Sequence, residues 1–245
     1  MHRTAISGRL ARLASVLLLG MLAQNGQAQS VANRFAAAAT LATDYMRYGL
    51  SQTHGNAAWR MALDYEDRRG WYAGGSLGNV DYPVEYQFAE PRNLQADVYG
   101  GYRWRGREWS TRVALARYVY PGASVDYDYG LVSFGLSFRD RYFLDIERTG
   151  DLLGLGWPAR HYEFGVALPW IHDLELGIDL GRYRAETFQR VEFTHWDVGL
   201  SRSFDRLVLD LRYFDNTQDT ASLLGEPAGT HWVLTASYAI APRGR

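Results

Sequence analysis

The sequence predicts an all-β protein that folds as a closed, up-and-down, antiparallel transmembrane β-barrel of about 12 strands after an N-terminal signal peptide. Two observations lead to this prediction. Apolar and polar residues alternate with a period of two along most of the chain, which gives each strand one apolar and one polar face. The connections between the strands are alternately short and long, as is typical of barrels of the bacterial outer membrane.

The composition fits this class and excludes several others. The chain has 245 residues, with 25 glycines and only 7 prolines, which suits strands and turns. The absence of cysteine excludes thiolate metal sites, disulfides and cysteine nucleophiles. All 26 basic residues are arginines and the formal net charge is -1, whereas a nucleic-acid-binding protein usually presents a basic face. We therefore expect no nucleic-acid partner.

Residues 1–28 have the three parts of a secretory signal peptide. Three arginines form a positively charged region, an apolar run follows from Ala14 to Ala23, and small residues precede a cleavage site before Gln29. The run is too short for a helix to cross the ~30 Å of bilayer hydrocarbon, although an N-terminal anchor helix is the alternative interpretation. We divide the rest of the chain into an N-terminal periplasmic segment, a barrel and a C-terminal tail, at residues 29–36, 37–240 and 241–245.

The predicted strands share the alternation seen in Leu174, Leu176 and Ile178, which are separated by Glu175 and Gly177. Helical spacing of apolar residues fails in most of these windows. The predicted strands are 37–49, 57–66, 71–80, 94–103, 108–118, 127–138, 142–149, 159–168, 174–184, 193–203, 207–214 and 230–240.

The connections predict which strand ends lie together. The short ones are 66–70, 104–107, 139–141, 169–173 and 204–206. The longer, polar ones are 51–56, 81–93, 119–126, 150–158, 185–192 and 215–229. Because the two kinds alternate, all tight turns and both termini of the barrel are expected at one end, and all long loops at the other.

Three features favour a membrane barrel over its main alternative, a soluble secreted β-barrel with an apolar interior. The strands are about ten residues long, close to the ~9–11 needed to cross hydrocarbon at a tilt. The polar faces carry ionised residues in mid-strand. Aromatic residues gather at strand ends, where they suit the two lipid–water interfaces; they are Trp59, Trp71, Trp104, Trp109, Tyr118, Tyr120, Tyr142, Trp170, Phe204, Tyr213, Phe214 and Trp232.

The charged residues of the polar faces are the candidate pore-lining residues. They are Arg60, Asp64, Asp97, Arg103, Arg112, Asp145, Glu147, Glu163, Glu175, Asp179, Asp197, Asp210 and Arg212. Rings of charged side chains can select ions by sign, and the excess of acids in this set predicts a mild preference for cations. The lead hypothesis is passive diffusion of small solutes. The alternative is a structural barrel whose lumen is filled by arginine–carboxylate pairs.

An outer-membrane lipid hydrolase is the second alternative. It would need a nucleophile, a histidine base and an orienting group at one depth of the barrel. His195 with Ser201 and His161 with Glu163 are the only candidate pairs, and no recognised serine motif is present. The six histidines are scattered and show no recognised metal-ligand spacing, so we expect no metal, no cofactor and no catalytic residues.

The expected location is the outer membrane of a Gram-negative bacterium. The partners expected there are membrane lipid and lipopolysaccharide, the transported small solutes and the barrel-assembly machinery. The last predicted strand carries the alternating stripe that such machinery recognises, in Trp232, Leu234, Ala236, Tyr238 and Ile240.

Four segments are similar to the TorF family, a group of exported bacterial β proteins regarded as porins. Residues 43–52 (TDYMRYGLSQ) resemble the opening strand of that family, and residues 59–65, 70–81 and 97–102 resemble its next three strands. One departure is that Arg47 precedes Tyr48, where the family usually places an aromatic residue before an Arg-Gly pair. The resemblance implies an outer-membrane barrel and a porin function.

Overall fold

The computed structural model describes residues 34–82, 92–123, 126–187, 190–217 and 228–240. The predicted signal peptide and the C-terminal tail lie outside the described residues. Within them, no helix has both the length and the apolar character needed to span a membrane. The elements are the strands β1 (Arg34–Ala42), β2 (Met46–Arg47), β3 (Leu50–Ser51), β4 (Ala58–Glu66), β5 (Trp71–Tyr82), β6 (Arg92–Arg105), β7 (Trp109–Val119), β8 (Tyr129–Phe138), β9 (Tyr142–Leu152), β10 (Trp157–Pro169), β11 (Leu174–Ala185), β12 (Val191–Phe204), β13 (Leu207–Asn216) and β14 (His231–Ala239), with one 3₁₀ turn at Ile171–Asp173.

Twelve of these strands form a closed barrel in which every strand pairs antiparallel with its neighbours along the chain. The barrel closes at β1, where Ala38 pairs with Ala62 of β4 on one side and with Ala239 of β14 on the other. Closure leaves no open sheet edge, which a bilayer requires because hydrocarbon cannot satisfy free backbone groups. The predicted fold class is confirmed.

The two ends of the barrel differ as the connections predicted, with one exception. The predicted long loop 150–158 is wrong, because β9 extends to Leu152 and β10 begins at Trp157, which leaves only residues 153–156 between them. At one end, which we call the short-turn end, the strands are joined by tight turns such as Arg139–Arg141 between β8 and β9. Arg139 and Asp140 both have positive φ there, as the primed turns of hairpins require. The start of β1 and the end of β14 lie at the same end. We call the other end the long-loop end.

The outer surface is apolar. Aliphatic side chains such as Leu63, Leu115 and Leu180 are more than half exposed at mid-strand. Aromatic side chains are exposed around the short-turn end, at Trp71, Trp104, Trp109, Tyr142, Trp170 and Phe204. A second exposed group lies toward the long-loop end, at Trp59, Trp196 and Trp232. An apolar belt between two aromatic bands is the surface of a transmembrane barrel.

Three of the aromatic residues predicted for these bands lie inside the barrel instead. Tyr118, Tyr120 and Phe214 are each no more than 6% exposed. Tyr118 and Phe214 stand on the inward parity of β7 and β13, so they pack against the contents of the lumen. Position near a strand end does not by itself identify an interfacial aromatic residue.

The predicted first strand, 37–49, is wrong at both ends. β1 begins at Arg34, inside the segment assigned to the periplasm, because the ladder with β4 continues as far as the pair Arg34–Glu66. It ends at Ala42, and the chain then turns into the barrel. The small hairpin of β2 and β3 lies in this inserted segment, which comprises residues 43–57.

Candidate functional site

The lumen is the candidate functional site. All thirteen predicted pore-lining residues stand on inward-facing positions, and none is exposed at the outer surface. Seven are buried, namely Arg60, Asp64, Asp97, Arg103, Asp197, Asp210 and Arg212, and six are half-buried, namely Arg112, Asp145, Glu147, Glu163, Glu175 and Asp179. Their role in conduction remains a prediction, whereas their enclosure follows from the parity of the strands.

Arg212 of β13 lies at the centre of one ion-pair cluster. Its guanidinium contacts three carboxylates: Asp179 at 2.7 Å, Asp197, and Asp210 at 3.4 Å. Gly177 makes room for it, since a Cβ there would lie 2.7 Å from the Arg212 Nη2 atom. One positive charge is therefore shared by three negative charges on adjacent strands.

Arg60 of β4 holds a second cluster on the opposite wall. It pairs with Asp97 of β6, and its Nε donates to the Ser76 hydroxyl at 2.8 Å. That hydroxyl in turn donates to Asp97 at 2.5 Å. Asp64 accepts a hydrogen bond from the Tyr99 hydroxyl. Among the described residues, no ion pair joins Asp64 to an arginine.

Ion pairs continue toward the short-turn end. Glu66 is contacted by Arg103 at 3.2 Å and also by Arg105, so two cations share one carboxylate there. Arg112 of β7 pairs with Asp145 of β9 across the inward face of β8. The charged lining thus extends along the barrel rather than forming a single ring.

The inserted segment is fixed in the lumen by its own polar side chains and by the wall. Asp44 accepts hydrogen bonds from Ser51 at 2.7 Å and Thr53 at 2.8 Å, and it pairs with His231 of β14 at 3.1 Å. Burial disfavours the Asp44 carboxylate, but these hydrogen bonds outweigh it and hold its pKa below the ordinary value. The Asn216 amide donates to the carbonyl oxygen of Gly49 at 2.8 Å.

The tip of the inserted segment places Arg47 and Tyr48 against the inner wall. The Arg47 guanidinium lies 4.1 Å from the centre of the Tyr118 ring, in cation–π contact. The Tyr48 hydroxyl donates to Glu147 of β9, and its ring stacks on Tyr183 of β11 at 5.3 Å. The segment therefore reaches across the lumen and narrows it with one arginine and several tyrosines.

Sequence reasoning assigned Arg47 and Tyr48 to a membrane strand and so missed both. The sequence did contain a signal that the strand ends, which was the break in alternation after Ala42. Asp44 and Arg47 are an odd number of positions apart, so a continuous strand would place one of these charged side chains on the lipid-facing side. A second signal was Gly49 beside Tyr48, since both have positive φ and form the turn between β2 and β3.

Three metal-ligating side chains of the lumen, on β10 and β12, converge on one point. One ligand atom from each of His161, Glu163 and His195 lies within 4.8 Å of the others. The two imidazole Nε2 atoms are 2.8 Å apart, and His161 Nε2 is 3.8 Å from a Glu163 oxygen. The expectation that all histidines are scattered is therefore wrong for this pair, because the two residues are 34 positions apart in sequence but close across Gly181.

The hydrolase pairs do not form a catalytic constellation. His195 and Ser201 are six residues apart on the same strand, which separates them by roughly 20 Å. The Ser201 hydroxyl donates instead to the Glu175 carbonyl at 3.5 Å. His161 and Glu163 are adjacent, but neither contacts a serine in the described part of the chain.

Fold and lumen together define the class of this protein, a twelve-stranded transmembrane β-barrel with a charged interior. The chain belongs to the family described as bacterial protein of unknown function (Gcw_chp), whose family model matches residues 26–237. No curated protein matches its sequence.

Two solved structures with a similar fold are porins. The KdgM porin is 8% identical, with a TM-score of 0.52, over 85% of this chain and 100% of that one. The NanC porin is 11% identical, with a TM-score of 0.52, over 85% of this chain and 99% of that one. At these low sequence identities, the structural similarity shows that this chain shares the barrel fold of the two porins, and it shows the fold alone.

Proposed function

We propose that this chain is a porin of the outer membrane of a Gram-negative bacterium, through which small solutes diffuse without a chemical step. The observation that carries the proposal is the inversion of the barrel. Leucine and tryptophan side chains face outward, and arginine–carboxylate pairs line the interior. The fold shared with the KdgM and NanC porins and the resemblance to the TorF family support the same function.

The balance of charge in the lumen supports a preference for cations. Nine of the thirteen lining residues are acids and four are arginines. Arg212 alone is surrounded by three carboxylates, so its neighbourhood keeps an excess of negative charge when all four groups are ionised. Charged rings of this kind select ions by sign.

The inserted segment supports a small conductance. Arg47 and Tyr48 occupy the lumen between β7 and β11, and twelve strands enclose less space than the 16–18 of open porins. The same observation favours a second candidate, a structural barrel whose lumen is plugged. The two differ in one measurable property, which is ion flow.

Planar-bilayer recording of the purified protein separates these candidates. We expect small single-channel currents and, under a salt gradient, a reversal potential that indicates cation preference. Asp179→Asn removes one of three carboxylates around Arg212 and should reduce that preference. Asp140→Asn, in an exposed turn at the short-turn end, is the matched control. Protein that inserts but passes no current supports the plugged barrel.

The outer surface also supports a lipopolysaccharide partner at the long-loop end. Arg148, Arg160 and Arg184 are direct cross-strand neighbours on the outward face of β9, β10 and β11. Like charges directly opposite one another destabilise a sheet unless an anion neutralises them. In the described residues, the carboxylate that reaches this row is Glu186, 3.4 Å from both Arg160 and Arg184.

Phosphate groups of lipopolysaccharide would supply the missing negative charge, with the long-loop end facing the cell exterior. The test measures by mass spectrometry the lipid A that co-purifies with the protein. We expect less with Arg160→Gln/Arg184→Gln than with the wild type. Arg139→Gln, an exposed arginine at the short-turn end, should have no effect. Equal lipid A in all three proteins would contradict this orientation.

A further inference from the structure

We propose that His161, Glu163 and His195 form a binding site for a divalent transition-metal ion, of the class of Zn²⁺, on the wall of the lumen. Their three ligand atoms lie within 4.8 Å of one another, and the two imidazole Nε2 atoms point at each other across 2.8 Å. The inference rests on this geometry alone and does not depend on conduction through the barrel.

The sheet is built to allow the two imidazoles to meet. β10 and β12 are not neighbours, because β11 lies between them and contributes Gly181 at the crossing point. Gly181 pairs directly with Glu163 on one side and with His195 on the other. A Cβ at position 181 would overlap both imidazole rings. The absence of a side chain at that position therefore opens the space in which the ligand atoms converge.

The inserted segment holds the rings in place. The Tyr48 ring lies 4.4 Å from the His161 ring, centre to centre, and the backbone of Gly49 packs against His195. The two imidazoles are nearly parallel, with an angle of 11° between their planes. Ligands that are oriented before the ion arrives lose little freedom on binding, so this packing favours affinity.

The donor set fits a borderline metal ion. Imidazole nitrogen suits Zn²⁺, Cu²⁺ and Ni²⁺, whereas Ca²⁺ and Mg²⁺ prefer oxygen ligands. Two imidazoles and one carboxylate are a known zinc ligand set that leaves a fourth position for water. The Glu163 side chain is 11% exposed, so water and ions of the lumen reach the site from its side.

The environment of the two Nε2 atoms is consistent with a bound cation. His195 is 1% exposed and His161 is 4% exposed, so bulk solvent does not reach these rings freely. The His195 Nε2 atom is engaged only with His161, and the facing nitrogens can share a single proton. A cation in place of that shared proton would accept a lone pair from each Nε2 atom, and the Glu163 carboxylate beside them would balance part of its charge.

The test is Zn²⁺ titration by calorimetry of the full chain in detergent after treatment with EDTA. We expect one ion per chain, and no binding of Ca²⁺ in the same range. His161→Gln and His195→Gln should each weaken Zn²⁺ binding by more than the roughly 10–100-fold that loss of an outer-shell partner costs. Glu163→Gln should weaken it less. His172→Gln, on the exposed 3₁₀ turn, is the control and should bind as the wild type does.

Two further measurements keep the outcome decisive. The electrophoretic shift between unheated and boiled protein establishes that each variant is folded. If a histidine variant does not fold, the weaker Zn²⁺ binding expected of Glu163→Gln is the measurement that tests the site. Co²⁺ in place of Zn²⁺ should give visible absorption bands of a four-coordinate ion, which the His195→Gln protein lacks. Absence of Zn²⁺ binding in the folded wild type, or binding that survives in both histidine variants, would overturn the proposal.

Discussion

Replacing Arg212 by glutamine removes the only cation that contacts Asp179, Asp197 and Asp210 among the described ion pairs. The arginine and two of its partners have side chains no more than 6% exposed, so solvent cannot replace the lost contacts. Removing one partner of a buried ion pair typically costs about 3–5 kcal/mol because a charge is left uncompensated. We expect a loss of that order in the free energy of unfolding.

Urea titration of the barrel in lipid vesicles, followed by tryptophan fluorescence, measures this loss. Arg139→Gln is the control, since its pair with Glu108 is exposed on both sides and exposed pairs contribute little. Neutralising Asp197 in the Arg212→Gln background should restore part of the stability, because fewer negative charges then remain unpaired. A loss no greater than that of the control, or no recovery in the double variant, would refute the argument that Arg212 compensates this cluster.

Two further predictions concern the inserted segment. Gly49→Ala should increase single-channel conductance, because its Cβ would overlap the His195 ring and displace the segment, whereas Gly55→Ala has the same positive φ but open space around it and should leave conductance unchanged. Asp44 has a pKa below its ordinary 3.8, so its contribution to holding the segment is complete above that pH and is lost as the pH falls through the folded pKa. Hydrogen exchange of residues 43–57, corrected for the intrinsic rate at each pH, should therefore show a loss of protection at acid pH in the wild type, and this acid-dependent loss should be absent in Asp44→Asn.

The barrel could be predicted because its rules are local. A strand in a membrane barrel needs only correct parity and length, and both can be counted along the chain in segments such as Leu174–Ala185. The tight turns at the short-turn end add the direction of every strand. The strand that was predicted wrongly is β1. After Ala42 the chain leaves the sheet, and the alternation of apolar and polar residues does not continue through Asp44.

In the site, too, the local features could be predicted from the sequence and the long-range contacts could not. Enclosure of residues such as Asp97 and Arg212 follows from parity, but their partners do not, because contact across the lumen depends on how the strands are staggered around the barrel. The histidine pair is the clearest case. His161 and His195 meet only because β11 carries glycine at the position that faces both, and Gly181 is conspicuous only once its ladder partners are known. A glycine on an inward position of a barrel strand therefore identifies a place where side chains from the strands on either side can touch, and Gly199 of β12, which lies between Arg212 of β13 and Asp179 of β11, obeys the same rule.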